Sequence, residues 1–193
     1  MRKYILAALV AGTVATPAFA QDAAPLSGFR IEAVGGYDTT DVEGDGSEGL
    51  LYGVGVGYDF QSGGAVFGIE AEATDSTIDE CVNNVVVATD QLCAKFGRDL
   101  YVGGRVGAAV GANSLAYLKA GYTNARVNLD YQDGTPATAP DFDIGEDLDG
   151  LRVGGGFQFG LGARSYAKVE YRYSNYEQGF DKHQGVVGLG LRF

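Results

Sequence analysis

The sequence predicts an all-β protein, an eight-stranded antiparallel transmembrane β-barrel, on three observations. Apolar and polar residues alternate with period two in eight separate segments. Thirty-one glycines and twelve tyrosines, with four prolines and no tryptophan, suit many short strands better than helices. The last stretch, Gly185-Val186-Val187-Gly188-Leu189-Gly190-Leu191-Arg192-Phe193, reads as a strand ending on an aromatic. In a closed barrel such a strand pairs with the first, and its terminal ring sits in the interfacial girdle.

The first segment, residues 28–37, puts Phe29, Ile31, Ala33 and Tyr37 on one face and Arg30 and Glu32 on the other. The second, 50–60, sets Leu50, Tyr52, Val54, Val56 and Tyr58 against Leu51, Gly53, Gly55, Gly57 and Asp59. In the third, 66–74, Phe67, Ile69, Ala71 and Ala73 oppose Gly68, Glu70 and Glu72. The fourth, 99–110, opposes Leu100, Val102, Val106 and Ala108 to Tyr101, Gly103, Arg105 and Gly107. Ala116, Leu118, Ala120 and Tyr122 of the fifth, 115–123, face away from Tyr117, Lys119 and Gly121. The sixth, 150–160, divides Leu151, Val153, Phe157 and Phe159 from Arg152, Gly154, Gly156 and Gln158. The seventh, 166–174, divides Ala167, Val169, Tyr171 and Tyr173 from Lys168, Glu170 and Arg172. In the eighth, Val187, Leu189, Leu191 and Phe193 oppose Gly188, Gly190 and Arg192.

A soluble lipocalin-like barrel shows the same period with its apolar face inward. Three features favour the opposite sense. The charged face is also the glycine-rich one, as a crowded barrel interior requires. The apolar face carries no charge, as expected where a lipid-facing Arg or Lys costs about 2–4 kcal/mol at the midplane. The connections alternate: short near 61–64, 111–114 and 161–165, long near 38–49, 75–98, 124–149 and 175–183. Short periplasmic turns and long outer loops are the pattern of a membrane barrel with its N-terminus inside. Phe29, Tyr58, Phe67, Phe159 and Phe193 then mark the inner rim, and Tyr37, Tyr52, Tyr122 and Tyr173 the outer one, as two aromatic girdles.

Met1-Arg2-Lys3, an apolar run and Ala18-Phe19-Ala20 read as a cleaved signal peptide over residues 1–20, leaving 21–193 as one barrel domain exported to the outer membrane. Apolar runs of about 18 residues are absent after it, so no helix is expected to span. The formal charge of −11 becomes −13 once Arg2 and Lys3 are removed, which argues against nucleic-acid binding. Cys81 and Cys93 are the only cysteines; in an exported chain an intramolecular disulfide pinning the second outer loop is expected.

The motif Glu170-Tyr171-Arg172-Tyr173-Ser174-Asn175-Tyr176, followed by Gly188-Leu189-Gly190-Leu191-Arg192-Phe193, resembles small porin-family outer-membrane proteins of alphaproteobacteria, grouped with OmpA-like and opacity-type barrels. The resemblance implies insertion by the barrel-assembly machinery, with periplasmic chaperones, reading Phe193 as the assembly signal. It also implies roles in envelope integrity or surface exposure to host or phage, and sometimes a weak diffusion pore.

The inward face collects Arg30, Arg105, Lys119, Arg152, Lys168, Arg172 and Arg192 with Glu32, Asp59, Glu70, Glu72 and Glu170. Buried charges must pair, so the expectation is an ion-pair network that largely plugs the lumen. The alternative is a charged constriction in a small non-specific channel for ions and small solutes. Glu70 and Glu72 are expected to face Arg105, with Lys119, Arg152, Glu170 and Arg172 completing the layer. Gly68, Gly103 and Gly107 are expected to make room for those long side chains.

The remaining acids fall in the long loops with Lys95, Arg98, Arg126 and Lys182, a solvated surface that divalent cations would bridge to lipopolysaccharide phosphates. Asp41-Val42-Glu43-Gly44-Asp45-Gly46 resembles part of a calcium loop but has Tyr52 where the bidentate Glu belongs. The acids of 141–149 have no recognised ligand spacing. His183, beside Asp181, is the sole histidine; with Ser174 it would need a lipid hydrolase constellation that the sequence does not otherwise supply. A non-enzymatic protein without cofactor or resident metal is the expectation.

Overall fold

The computed structural model describes residues 26–42, 45–77, 79–83, 91–111, 113–132, 142–177 and 180–193. The expected signal segment lies outside them. Among the described residues nine strands follow one another: β1 Gly28–Val42, β2 Asp45–Ser62, β3 Ala65–Ser76, β4 Asp79–Asn83, β5 Gln91–Val110, β6 Ser114–Gln132, β7 Phe142–Gly160, β8 Ser165–Tyr176 and β9 Phe180–Arg192. Eight of them form a closed antiparallel ring, β3-β2-β1-β9-β8-β7-β6-β5, sealed by the β3–β5 pairing. Closure leaves no strand edge, which is what lets a sheet cross a hydrocarbon layer.

The first and last strands meet as expected, from Arg30 opposite Arg192 to Asp41 opposite Asp181. At one end the connections are tight. Ser62 pairs with Ala65 around Gly63-Gly64, and Gly63 takes φ 60°, a left-handed turn position that glycine occupies without strain.

At the other end the strands run well past the expected segments. Residues 124–132 and 142–149, expected as loop, continue the β6–β7 ladder up to Tyr131 opposite Phe142. Within the expected second loop, β4 pairs with β5, setting Cys81 opposite Cys93. Above the membrane both faces of a ladder meet water, so pairing continues after the apolar alternation has stopped. That is why alternation underestimates strand length.

The faces sort as the charge pattern predicts. Phe29, Ile31, Val54, Ile69, Leu118, Leu151 and Leu189 are exposed on the outside, while Arg30, Glu70, Lys119, Arg152 and Lys168 are buried within. Apolar residues also reach the interior, in layers that the alternation does not announce. Leu26 folds over the turn end and packs on Val66, Leu115 and Tyr117. Its N–H donates to Gln61 Oε1 at 3.1 Å. Val34, Leu51 and Val186 make a second layer farther up.

Candidate functional site

The lumen is the built site, and its side chains stack in three charged layers. Because side chains alternate, each strand delivers an inward residue every second position, and the register decides which of these share a level.

Nearest the turn end, Asp59 is shared by three guanidiniums. Arg105 Nη2 lies 2.5 Å from Asp59 Oδ2, Arg192 Nη2 3.2 Å, and Arg30 Nε 3.4 Å. Arg105 therefore does not face Glu70 and Glu72, which corrects the expected layer. The register explains it: Gly68 sits between Asp59 on β2 and Arg105 on β5. A Cβ on Gly68 would come 2.3 Å from Asp59 Oδ1, so the missing side chain is what lets these two partners meet.

The middle layer holds four cations and four carboxylates. Lys119 Nζ touches Glu70 at 2.6 Å, Glu72 at 3.0 Å and Glu170 at 3.1 Å. Lys168 reaches Glu32 at 2.5 Å and Glu72 at 3.5 Å. Arg172 pairs with Glu72 at 2.7 Å and with Glu170. Arg30 spans down to this layer from Asp59, meeting Glu32 at 3.1 Å and Glu70. Tyrosines close the gaps: Tyr117 donates to Glu170 at 2.5 Å and Tyr166 to Glu32 at 2.8 Å. Lys119 Nζ also lies over the Tyr101 ring, 4.4 Å from its centroid. Of the three glycines expected to admit long charged chains, only Gly68 does. Gly103 lies under the Tyr101 ring, and Gly107 against Leu115 and Tyr117.

Arg152 belongs to a third layer, toward the loop end, and not to the middle one. It pairs with Asp99 at 2.5 Å and donates to Ser174 Oγ at 2.7 Å. Thr123 donates to the same Asp99 at 2.8 Å. Lys182, expected in a loop, is buried here against Asp38 at 2.7 Å. Asp38, Asp99 and Lys182 were thus missed from sequence, although each continues the inward parity of its strand.

The outer rim carries a second missed signal, a short repeat. Tyr122-Thr123-Asn124 on β6 and Tyr173-Ser174-Asn175 on β8 use both faces of the wall. Inward, the hydroxyls hold the Asp99–Arg152 pair. Outward, Tyr122 and Asn124 both donate to Asp149, the latter at 2.7 Å. Tyr173 and Asn175 do the same to Asp181, at 3.0 and 2.6 Å. The Tyr122 hydroxyl, then Asn124, hold the exposed Asp149 carboxyl below its usual range.

His183 faces out, 2.7 Å from the Tyr171 hydroxyl, its ring centroid 5.0 Å from that of Tyr173 and tilted 47° to it. Ser174 faces in, so the two sit on opposite sides of the barrel wall and share no site. Part of the partial calcium loop, Glu43 and Gly44, lies outside the described residues, as does Asp141 of the second acidic cluster. Phe193 is exposed at the turn end, its ring 6.3 Å from Phe29 and its N–H bonded to Phe29 O.

Comparison with solved structures places this geometry. Ail, the attachment invasion locus protein of Yersinia pestis, solved with the heparin analogue sucrose octasulfate, is 12% identical. The match covers 87% of this chain and 100% of that one, with a TM-score of 0.60. Neisserial surface protein A is 14% identical over 86% of this chain and 98% of its own, again at 0.60. No curated protein matches the sequence. Residues 6–193 match the family model described as outer membrane protein beta-barrel domain. The closed ring, the apolar exterior and that match agree: this chain belongs to the outer-membrane β-barrel domain family.

Proposed function

We propose that the protein is a structural, surface-exposed component of the bacterial outer membrane whose lumen is closed by its ion pairs. The observation that carries this is Lys119, buried and held by three carboxylates that are themselves paired to Arg30, Lys168 and Arg172. Such a layer fills the cross-section of an eight-stranded barrel. In proteoliposomes the purified protein should therefore add no measurable efflux of small ions. Steady efflux would replace this reading with the small diffusion channel. That second reading draws on one observation: Tyr101 Oη and Gln184 Oε1 are buried without a hydrogen-bond partner, as groups in contact with lumenal water would be.

The finer placement belongs to the same proposal. The chain is an opacity-type relative, exported by a Sec-type signal peptide over residues 1–20. The barrel-assembly machinery reads Phe193, so deleting Phe193 should leave the protein unassembled while Phe193→Trp inserts. Its acidic outer extensions meet lipopolysaccharide through divalent cations. Cys81 and Cys93 form a disulfide: directly opposed antiparallel residues hold their Cα atoms about 4.5–5.5 Å apart, inside the range a disulfide spans. Thiol labelling of the unreduced, denatured protein should find no free cysteine.

A further inference from the structure

The apolar exterior is hollowed in places. A groove of about 630 Å³ crosses β9, β1 and β2, lined by Leu189, Leu191, Ile31, Ala33 and Val56, and begins at Leu161 and Ser165, where β7 turns into β8. Ala33 makes the hollow: it is short and exposed, while Val54 and Leu189 stand opposite it on the neighbouring strands. The register gives the groove a direction. Ser165 pairs with Leu191, Leu191 with Ile31, and Ile31 with Val56. Ser165 lies at the turn end, whereas Val56 lies well up β2 from its turn-end residue, Ser62. The row climbs because the strands of a closed barrel are tilted. An acyl chain whose headgroup rests at that rim takes the same path toward mid-depth.

The rim at the mouth of this groove is charged at one place. Among the described residues, Arg164 is the one exposed charged side chain of the turn end, and it is the chain neighbour of Ser165. A second, larger groove of about 900 Å³ starts at Ala108 and Ala116 and climbs past Phe157 and Val169. The turn below it, Gly111-Ala112-Asn113, carries no charge. The two grooves offer lipid the same kind of apolar bed and differ in the cation at the mouth.

We propose that the groove over Ala33 holds an acyl chain of one anionic glycerophospholipid from the leaflet at the turn end, with the Arg164 guanidinium on its phosphate. A guanidinium meets a phosphate through two parallel N–H donors. Its stem lies along apolar surface while the head stays at the interface. A zwitterionic headgroup brings an ammonium as well, and among the described residues this rim has no exposed carboxylate side chain to receive it. The site therefore selects lipids whose phosphate is the only charge of the headgroup.

The test is native mass spectrometry of the detergent-solubilised protein given equal amounts of phosphatidylglycerol and phosphatidylcholine with the same acyl chains. The wild type should retain one phosphatidylglycerol about fivefold more often than phosphatidylcholine, the scale of one arginine contact at an anionic membrane surface. Arg164→Gln should retain the two lipids equally. Arg98→Gln, which removes an exposed cation at the loop end instead, should keep the wild-type preference. Ala33→Phe fills the groove and should lose the retained phosphatidylglycerol; should that variant not fold, Ala33→Leu serves, with the same outcome. Equal retention of the two lipids by the wild type would overturn the proposal, as would a preference that survives Arg164→Gln. So would a preference that Arg164→Gln abolishes but both Ala33 variants leave intact, which reduces the site to a surface contact with the headgroup.

Discussion

Leu118 and Lys119 are consecutive residues of β6, yet they belong to opposite solvents. Leu118 is 66% exposed on the outside of the ring; Lys119 is 3% exposed among three carboxylates. The comparison extends around the barrel. Outside, each apolar side chain acts alone against lipid, and its contribution depends on depth. Inside, each charge depends on the others, because removing one member strands its partners in a place with little water. The outer face is a sum of separate parts, and the inner face is a network.

The largest effect should come from breaking the network at its centre. Lys119→Leu leaves Glu70, Glu72 and Glu170 without their common cation, and urea unfolding should show a loss of about 3–5 kcal/mol. The reciprocal change next door, Leu118→Lys, should cost about 2–4 kcal/mol because a cation is placed at mid-depth in lipid. Moving the same cation to the rim, as Phe159→Lys, should cost only about 0–1 kcal/mol. A depth-independent cost would mean that the outer face is not read by the bilayer.

Glycine substitutions sharpen the contrast at lower amplitude. Gly68→Ala drives a methyl into the Asp59–Arg105 contact, with backbone of Tyr58 also at 3.1 Å, and should cost about 1–3 kcal/mol. Gly185→Ala, on the outer face with nothing within 4 Å of the new methyl, should stay within about 0.5 kcal/mol. Equal effects at the two sites would erase the distinction between the faces.

Much of this was legible in the sequence, because period-two alternation and the side on which charge accumulates are local properties. They assign the two faces, the three tight turns and the inward charges from Arg30 to Arg192. What local pattern does not carry is which inward residues share a level. Arg105 meets Asp59 over the bare Gly68, and Arg152 joins Asp99 in a separate layer, because the stagger of the ring sets those heights. Asp38, Asp99 and Lys182 were hidden for another reason. They lie where strands leave the apolar band, so at least one outward neighbour of each, Thr39, Arg98 or His183, is polar and conceals the parity. Leu26 precedes the first strand altogether, and its packing across the lumen depends on Val66 of β3 meeting Leu115 and Tyr117 of β6.

The central claim is that paired charges close the lumen, and single-channel recording of the wild type beside the Glu70→Gln, Glu72→Gln double variant tests it most directly. The wild type should stay silent. The variant removes two of the three carboxylates around Lys119 and frees Arg30, Lys168 and Arg172 to move, so it should open to discrete conducting events. A wild type that conducts steadily, with a current the double variant leaves unchanged, would contradict the account and make the lumen an open aqueous pore.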